Sequence, residues 1–234
     1  EDKIIKFENF KKDFLNKNFQ NIVIKNIWEL IDEFNISTKA INDLFDGINS
    51  DIKERVELKS KKELLIYSYR VAGTVGLMMA KILKVNKINS LKSAIDLGIA
   101  MQLTNISRDV IEDKNNKRIY INENFNDIKS TISLSEKFYE NSFYSIKEIP
   151  LSFRFSILVA RRVYRKIGHK IINKNNLENY KNSGKIYVTK IEKIIETFLS
   201  IFDLIILTFT NKNDNNIEHD HSLINEEINL NERF

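Results

Sequence analysis

The sequence DLGIAMQLTNISRDVIED, residues 96–113, is the most informative stretch of the chain. On a helix, at about 100° per residue, four oxygen-bearing side chains fall within one sector about 80° wide, and an apolar stripe occupies the neighbouring sector. A surface helix normally carries its polar and apolar side chains on opposite faces. Adjacent stripes therefore indicate polar groups that line a cavity in the core of a helical bundle. The polar stripe is Gln102, Asn105, Asp109 and Asp113, and the apolar stripe is Ile99, Leu103, Ile106 and Val110.

The two carboxylates of this stripe suit a divalent cation. Asp109 and Asp113 are one helical turn apart, with their Cβ atoms about 5–6 Å from each other. Carboxylates in an apolar cavity are costly unless they are compensated. Mg²⁺ prefers oxygen ligands and commonly bridges protein carboxylates to substrate phosphates. The alternative is a solvated acidic helix end, which the pattern extended through Gln102 and Asn105 argues against.

The composition favours helices over sheets. The 234 residues include one Pro, six Gly and no Cys. A sandwich or barrel of many short strands needs more turn residues than that. The absence of Cys excludes disulfides, thiolate metal sites and cysteine nucleophiles. Because this length supports one sizeable core, we predict a single-domain, all-α bundle.

Apolar periodicity predicts where the helices lie. The apolar stretch 194–210 is interpreted as a buried core helix and not a membrane span, because Glu196 and Asp203 interrupt it. Residues 1–210 are expected to form the folded domain, and the polar residues 211–234 a disordered or loosely attached tail. Helices are predicted over 3–34, 38–58, 61–84, 90–113, 126–146, 151–173 and 187–209, with an irregular segment at 118–122.

Charge is distributed unevenly along the chain. The net charge is +5, yet residues 211–234 hold two basic and six acidic side chains, which leaves 35 basic and 26 acidic side chains in residues 1–210. A basic body suits an anionic partner. No nucleic-acid partner is expected, because no recognised motif or stacking platform accompanies the charge. A basic face of the predicted helix 151–173 is either solvated or in contact with anionic lipid. It comprises Arg154, Arg161, Arg162, Arg165 and Lys166.

Two histidines in the predicted tail form a third candidate feature. His219 and His221 flank Asp220, a spacing that can bind a metal ion. Their location in a polar tail weighs against that interpretation. No signal peptide or membrane span is visible in the sequence. We therefore expect a cytoplasmic protein, with peripheral contact at the inner face of the membrane.

The segment YSYRVAGTVGLMM, residues 67–79, places small residues in the middle of a helix. Each Gly there costs roughly 1 kcal/mol relative to Ala, which indicates close helix packing or room for a ligand. Residues 67–85 and 102–121 together resemble two motifs of the squalene/phytoene synthase family, the enzymes that condense two prenyl diphosphates head to head. The first resembles that family's Tyr-rich helix, and the second its second aspartate-rich motif with the following Arg-x-Tyr.

The resemblance implies an isoprenoid-synthase-type helical bundle around a central cavity, and a role for each matching residue. Asp109, Asp113 and Asn105 would bind Mg²⁺ (or Mn²⁺) and through it a substrate diphosphate, and Gln102 would complete the site. Arg108 would lie near the diphosphates, and Tyr67 would face cationic intermediates. The prenyl tail would lie along Ala72, Val75 and Gly76, and Tyr180 would be a further active-site tyrosine.

One feature of the family pattern is missing. The family carries a first aspartate-rich motif ahead of the Tyr-rich helix, and the sequence contains no such motif. Residues 42–51 resemble the family segment that lies just before the Tyr-rich helix, and they are not the first aspartate-rich motif. We therefore expect that the N-terminal helices of the family are missing from this sequence; if the chain is complete, half of the metal site is absent.

The activity implied is that of a phytoene synthase in carotenoid biosynthesis, which joins two geranylgeranyl diphosphates through a cyclopropyl diphosphate intermediate. The alternatives are a squalene, dehydrosqualene or hydroxysqualene synthase that uses farnesyl diphosphate, and a non-catalytic relative with an assembly or binding role. The prenyl diphosphate is the only small-molecule partner that the resemblance implies, and the oligomeric state is left open.

Overall fold

The computed structural model describes residues 2–210 and 219–234, and these are almost entirely helical. The predicted all-α class is confirmed. The single pair of strands in the described residues is parallel, with Val56 opposite Arg118 and Glu57 opposite Ile119. The elements are α1 (Asp2–Leu15), α2 (Ile22–Phe34), α3 (Thr38–Asp51), β1 (Val56–Glu57), α4 (Lys61–Ser68), a π-helical turn (Tyr69–Gly73), α5 (Thr74–Ile82), α6 (Ile88–Asn115), β2 (Arg118–Ile119), α7 (Phe125–Phe143), a 3₁₀ turn (Tyr144–Glu148), α8 (Leu151–Ile172), α9 (Leu177–Asn182), α10 (Lys190–Phe209), α11 (Ser222–Asn225) and a 3₁₀ turn (Leu230–Glu232).

Helix α6 is the centre of the bundle. It packs against α5, α7 and α8, and its residues Ile95, Ile99 and Leu103 are fully buried. These residues recur every four positions, so they form one stripe on a helix of 3.6 residues per turn. The burial of this stripe fixes which face of α6 turns to the core. It thereby also fixes the direction of the neighbouring polar stripe.

Helices α5 and α6 approach each other closely at two glycines. A Cβ atom on Gly76 would lie 2.2 Å from the carbonyl oxygen of Ala94, and one on Gly98 would lie 2.3 Å from that of Ala72. No side chain fits at such distances. The close packing that the small residues of 67–79 predict is therefore confirmed, because the backbones themselves are in contact.

Several predicted boundaries are wrong by a turn or more. The region 3–34 is two helices, since the chain turns at residues 16–21. The helix predicted to run to residue 58 ends at Asp51, because the next residues lead into β1. The helix predicted over 61–84 contains the π-helical turn, and α9 is a helix that periodicity does not predict.

The two faces of helix α10 are exposed and buried in the opposite way to the prediction. Its polar face, with Glu196, Ser200 and Asp203, is buried. Arg162 of α8 donates from Nε and Nη2 to Asp203 at 2.5 and 2.7 Å. Its apolar face is exposed to between 36 and 81%, so the expected buried core helix is wrong. The exposed apolar residues are Ile191, Ile194, Ile195, Phe198, Leu199, Ile201, Phe202, Ile205, Ile206 and Phe209.

The basic face of α8 is also different from the prediction. Arg161 is buried and donates to the carbonyl oxygen of Tyr139 at 2.8 and 3.1 Å. Arg165 pairs with Glu136 at 2.5 Å. These cations, like Arg162, form ion pairs and hydrogen bonds within the protein, because acids and carbonyl groups of α7 and α10 lie opposite them. They do not form the free, lipid-facing or solvated surface that the sequence suggested.

The C-terminal segment does not behave as a tail where the structure describes it. Ile224, Ile228 and Leu230 are buried to 3% exposure or less, and Arg233 donates to Asp43 at 2.9 Å. The expectation of a loosely attached tail is therefore wrong for residues 219–234. Apolar side chains scattered among the acids supply the burial. Residues 211–218 lie outside the described residues.

Candidate functional site

The C-terminal half of α6 carries the predicted carboxylates. Arg108 donates to the neighbouring Asp109 from Nε at 2.8 Å and from Nη2 at 2.5 Å. Lys185 Nζ, from the loop before α10, lies 3.5 Å from Asp109 Oδ1. Two cations thus meet one partly buried carboxylate. The predicted site residues Arg108 and Asp109 are brought together, and Lys185 joins them although no motif or periodicity singles it out.

Asp113 lies one turn further along and borders a small cavity of about 170 Å³, whose wall also includes Arg118 and Tyr120. Burial, reinforced by the negative charges of Asp109 and Glu112, raises the pKa of Asp113 to about 6. Arg118 acts in the opposite direction. A further positive charge would stabilise the ionised form of such a half-buried carboxylate. This is the electrostatic requirement for cation binding.

Asn105 and Gln102 continue the stripe toward the middle of α6. Asn105 Oδ1 is buried and has no hydrogen-bond partner among the described residues. Such an orphaned oxygen is costly unless a water molecule or a ligand satisfies it. Gln102 is partly buried. The stripe therefore offers ligand oxygens of the kind that Mg²⁺ or Mn²⁺ prefers, from Asn105, Asp109 and Asp113. The unpartnered oxygen of Asn105 fits an ion-binding role.

Tyr67 belongs to a cluster of three polar groups beside this site. Its hydroxyl donates to Asp51 Oδ1 at 2.9 Å, and that of Tyr120 donates to the same oxygen at 3.0 Å. The two rings are stacked with their centroids 4.7 Å apart. Burial raises the pKa of Tyr67 above its usual range. Both tyrosines therefore stay neutral and are held rigidly by one carboxylate.

Sequence reasoning missed Asp51 and the role of Tyr120. Tyr120 follows β2, and its Arg118-x-Tyr120 spacing carries meaning in the sequence only as part of a family motif. Asp51 ends α3, and the sequence gives no sign that its carboxylate meets Tyr67, because this contact depends on how α3 packs against the π-helical turn. Arg118 strengthens this junction by donating to the Asp51 carbonyl oxygen at 2.6 Å.

A second, mainly apolar cavity of about 350 Å³ lies along the other half of α6. The three residues predicted to contact a prenyl tail, Ala72, Val75 and Gly76, all lie on its wall. Leu97 and Met101 of α6 face it from the opposite side. Its volume falls in the range of about 300–1,000 Å³ that is typical of small-molecule sites.

Tyr180 occupies a different position from the other predicted residues. Its buried hydroxyl donates to the carbonyl oxygens of Ser107 and Arg108 at 3.0 and 2.8 Å. It lines neither the small cavity at Asp113 nor the apolar cavity. The side chain therefore holds the backbone of α6 where Arg108 and Asp109 emerge, which is a positioning contact.

A match to a protein-family model over about half of the sequence identifies the family of this chain. Residues 8–126 match the family model described as squalene/phytoene synthase. The chain belongs to the squalene/phytoene synthase family. This match includes Tyr67, the small residues of α5 and the carboxylates of α6.

Individual family members show the same relationship. The chain is 35% identical over 147 residues to the 15-cis-phytoene synthase of Enterobacter agglomerans, an alignment that covers 54% of this chain and 50% of that protein. It is 34% identical over 170 residues to that of a Paracoccus species, with coverage of 65 and 55%. The chain thus spans about half the length of the curated relatives it matches.

Solved structures of the family share the fold. A crystal structure of a dehydrosqualene synthase in complex with ligand superposes with a TM-score of 0.68 at 26% identity, covering 85% of this chain and 77% of that one. The squalene synthase HpnC from Alicyclobacillus acidocaldarius superposes with a TM-score of 0.61 at 13% identity, which shows the fold alone. Among the described residues, no helix is both long and apolar enough to span a bilayer.

Proposed function

We propose that this chain carries the catalytic core of a phytoene synthase, which condenses two geranylgeranyl diphosphates head to head. The observation that supports the proposal most directly is the division of α6. Its C-terminal half gathers Asn105, Asp109 and Asp113, while its N-terminal half forms one wall of an apolar cavity. A prenyl diphosphate has the same division, with a charged head and a long apolar tail.

The charged head would be bound by the carboxylate end. Asp109, Asp113 and Asn105 would hold Mg²⁺ or Mn²⁺, which supplies Lewis-acid stabilisation of the leaving diphosphate when it is bound. Arg118 and Lys185 add positive charge around the same carboxylates. Arg108 is paired with Asp109, and a diphosphate that entered would compete with Asp109 for this guanidinium.

The tail would lie in the cavity beside Ala72, Val75 and Gly76. In the proposed reaction, loss of diphosphate from one substrate gives an allylic cation, which the double bond of the second substrate attacks. Proton loss closes a cyclopropyl diphosphate. A second loss of diphosphate, a rearrangement and a final proton loss give the C40 product. Apolar walls keep water from the cations. The stacked rings of Tyr67 and Tyr120 provide electron-rich faces and hydroxyls that stay protonated.

The test is an assay of product formation from radiolabelled geranylgeranyl diphosphate with Mg²⁺, using the full-length protein. Asp113→Asn and Asp109→Asn are expected to reduce turnover by about 10²-fold or more. Glu112→Gln is the matched control, because Glu112 is on the same turn but exposed, with Lys185 as its partner at 2.8 Å. Glu112→Gln should stay within about threefold of the wild type. Full activity in Asp113→Asn would contradict the proposal.

A second candidate function is a synthase that uses farnesyl diphosphate. The structural likeness to a dehydrosqualene synthase, at a TM-score of 0.68, favours it. Parallel assays with C15 and C20 diphosphates separate the two, because the proposal predicts C40 product and this alternative predicts C30 product. If neither substrate is converted while the protein still binds a prenyl diphosphate, the non-catalytic interpretation is the correct one.

A further inference from the structure

A cluster of one acid and two histidines lies away from the carboxylates at the C-terminal end of α6. Asp96 of α6 is completely buried, and the side chains of His219 and His221 are 4 and 3% exposed. His219 Nδ1 lies 2.6 Å from one oxygen of Asp96, and His221 Nε2 lies 2.5 Å from the other. These three residues offer donor atoms that all lie within 4.8 Å of one another.

The local chain explains why both imidazoles reach one carboxylate. Residues 219–221 precede α11 and are not helical, so side chains two positions apart are able to point the same way. The remainder of the segment is secured independently of them. Arg233 bonds to Asp43, Lys62 pairs with Glu226 at 2.9 Å, and Ile224 is fully buried.

The hydrogen bonds of the cluster leave a nitrogen unsatisfied. His219 Nε2 is buried and has no partner among the described residues. A fully buried carboxylate is costly without a compensating cation. No Lys or Arg forms an ion pair with Asp96 in the described residues, where its ion-pair partners are the two imidazoles. A metal ion held by Asp96 and the two imidazoles would supply the compensating positive charge.

We propose that Asp96, His219 and His221 bind one transition-metal ion of the Zn²⁺ class and that this ion fastens residues 219–234 to α6. Two imidazole nitrogens and one carboxylate oxygen are a donor set that such metals prefer, whereas Mg²⁺ prefers oxygen alone. A water molecule would take the fourth position. The proposal does not depend on the phytoene synthase assignment.

The geometry requires a small adjustment. Tetrahedral Zn²⁺ with bonds of about 2.0–2.1 Å holds its ligand atoms about 3.3 Å apart. In a site that uses one oxygen of Asp96, the imidazole nitrogen bonded to that oxygen must move from about 2.5 Å to about 3.3 Å. The other nitrogen lies within 4.8 Å of both atoms and must approach them by up to about 1.5 Å. Residues 219–221 lie outside regular helix and can supply that shift. The nitrogen that binds the ion cannot carry a proton, so binding moves that proton to the other ring nitrogen or to solvent.

The experiment is a titration of the EDTA-treated full chain with Zn²⁺ in the presence of excess Mg²⁺. Calorimetry should give one equivalent, and Co²⁺ in place of Zn²⁺ should give the visible absorption of a tetrahedral nitrogen–oxygen site. At a Zn²⁺ concentration of about 100 times Kd, Tm should rise by about 5–10 °C. Excess Mg²⁺ occupies oxygen-only sites and prevents them from contributing.

Variants identify the ligands. The double variant His219→Gln with His221→Gln should lose the calorimetric signal, the Co²⁺ absorption and the rise in Tm. His169→Gln is the matched control, because His169 is half-exposed beside Glu136 and is able to bind metal adventitiously. It should retain all three signals. Circular dichroism without metal checks that each variant is folded.

A wild-type chain without saturable Zn²⁺ binding would overturn the proposal. So would binding that persists unchanged in the folded double variant, or binding that disappears in His169→Gln. Asp109→Asn with Asp113→Asn should leave Zn²⁺ binding intact. This last measurement separates failure of the zinc proposal from failure of the proposed function, because the two sites share no residue.

Discussion

The two halves of α6 differ in what holds them in place. In the N-terminal half, Gly98 brings the α6 backbone to within contact distance of Ala72, and the fully buried Ile95 and Ile99 add apolar packing. In the C-terminal half, Asp113 is half-buried at an electrostatic cost, and Asn105 leaves an oxygen without a partner among the described residues. The N-terminal half therefore contributes favourably to folding stability. The C-terminal half is less stable at the positions where a charged ligand would bind.

Gly98→Ala in the N-terminal half should have the largest effect on stability. The new Cβ would lie 2.3 Å from the Ala72 carbonyl oxygen, and backbone atoms cannot move aside cheaply. We expect a loss of at least about 3 kcal/mol in the free energy of unfolding, measured by urea denaturation. Gly168→Ala is the control, because its Cβ would lie at an ordinary 3.4 Å from Ile132. That helical substitution should be neutral or stabilising by up to about 1 kcal/mol.

Asp113→Asn should have a smaller effect of the opposite sign. Because the pKa of Asp113 in the folded protein is about 6, above the ordinary 3.8, folding favours the protonated carboxyl. Its contribution to stability is therefore fully present below about pH 4 and is lost as the pH rises through 6. At pH 7 and without Mg²⁺, the variant should be more stable than the wild type by about 1–2 kcal/mol, after allowance for solvent screening.

The stability difference between Asp113→Asn and the wild type should shrink as the pH falls from 7 to 4. Urea denaturation at several pH values measures it. If the stability difference is constant over this pH range, or if Asp113→Asn is less stable than the wild type at pH 7, Asp113 does not destabilise the protein. The C-terminal half of α6 would then not differ from the N-terminal half in this respect.

Tyr180→Phe should have the smallest effect. It removes the hydrogen bonds to the Ser107 and Arg108 carbonyls but keeps the buried ring, so we expect a loss of about 1 kcal/mol. Tyr187→Phe, at an exposed tyrosine in the loop that follows α9, should change stability by less than about 0.5 kcal/mol. If Tyr180→Phe also lowers kcat at unchanged KM, the tyrosine positions the carboxylate half of α6.

The sequence predicted those parts of the molecule that depend on local periodicity. The all-α class, the central helix and the apolar wall at Ala72, Val75 and Gly76 follow from spacing, from small residues and from family motifs. The π-helical turn Tyr69–Gly73 was beyond such reasoning. Periodicity assumes 3.6 residues per turn throughout, and a π turn adds a residue that rotates α5 relative to α4.

Contacts between distant segments were the main source of error. Asp51 meets Tyr67 where α3 packs against the π-helical turn, and Tyr120 reaches the same carboxylate from the end of β2. His219 and His221 reach Asp96 across more than 120 positions, and their acidic, Asn-rich surroundings concealed the apolar residues that bury the segment. Helix α10 has the composition of a core helix, and the location of the α8 cations, above all Arg162, decides that its acidic face turns inward.

The outward-facing apolar side of α10 affects how folding of this protein can be monitored. Fluorescent dyes such as ANS bind contiguous apolar surface, and they are commonly used to detect partly folded states. Ten large apolar side chains between Ile191 and Phe209 present such a surface while the chain is native. A strong dye signal is therefore expected from intact protein at neutral pH, and sulfate salts should promote its self-association. Loss of near-UV circular dichroism, and not dye binding, is the appropriate indicator of unfolding for this protein.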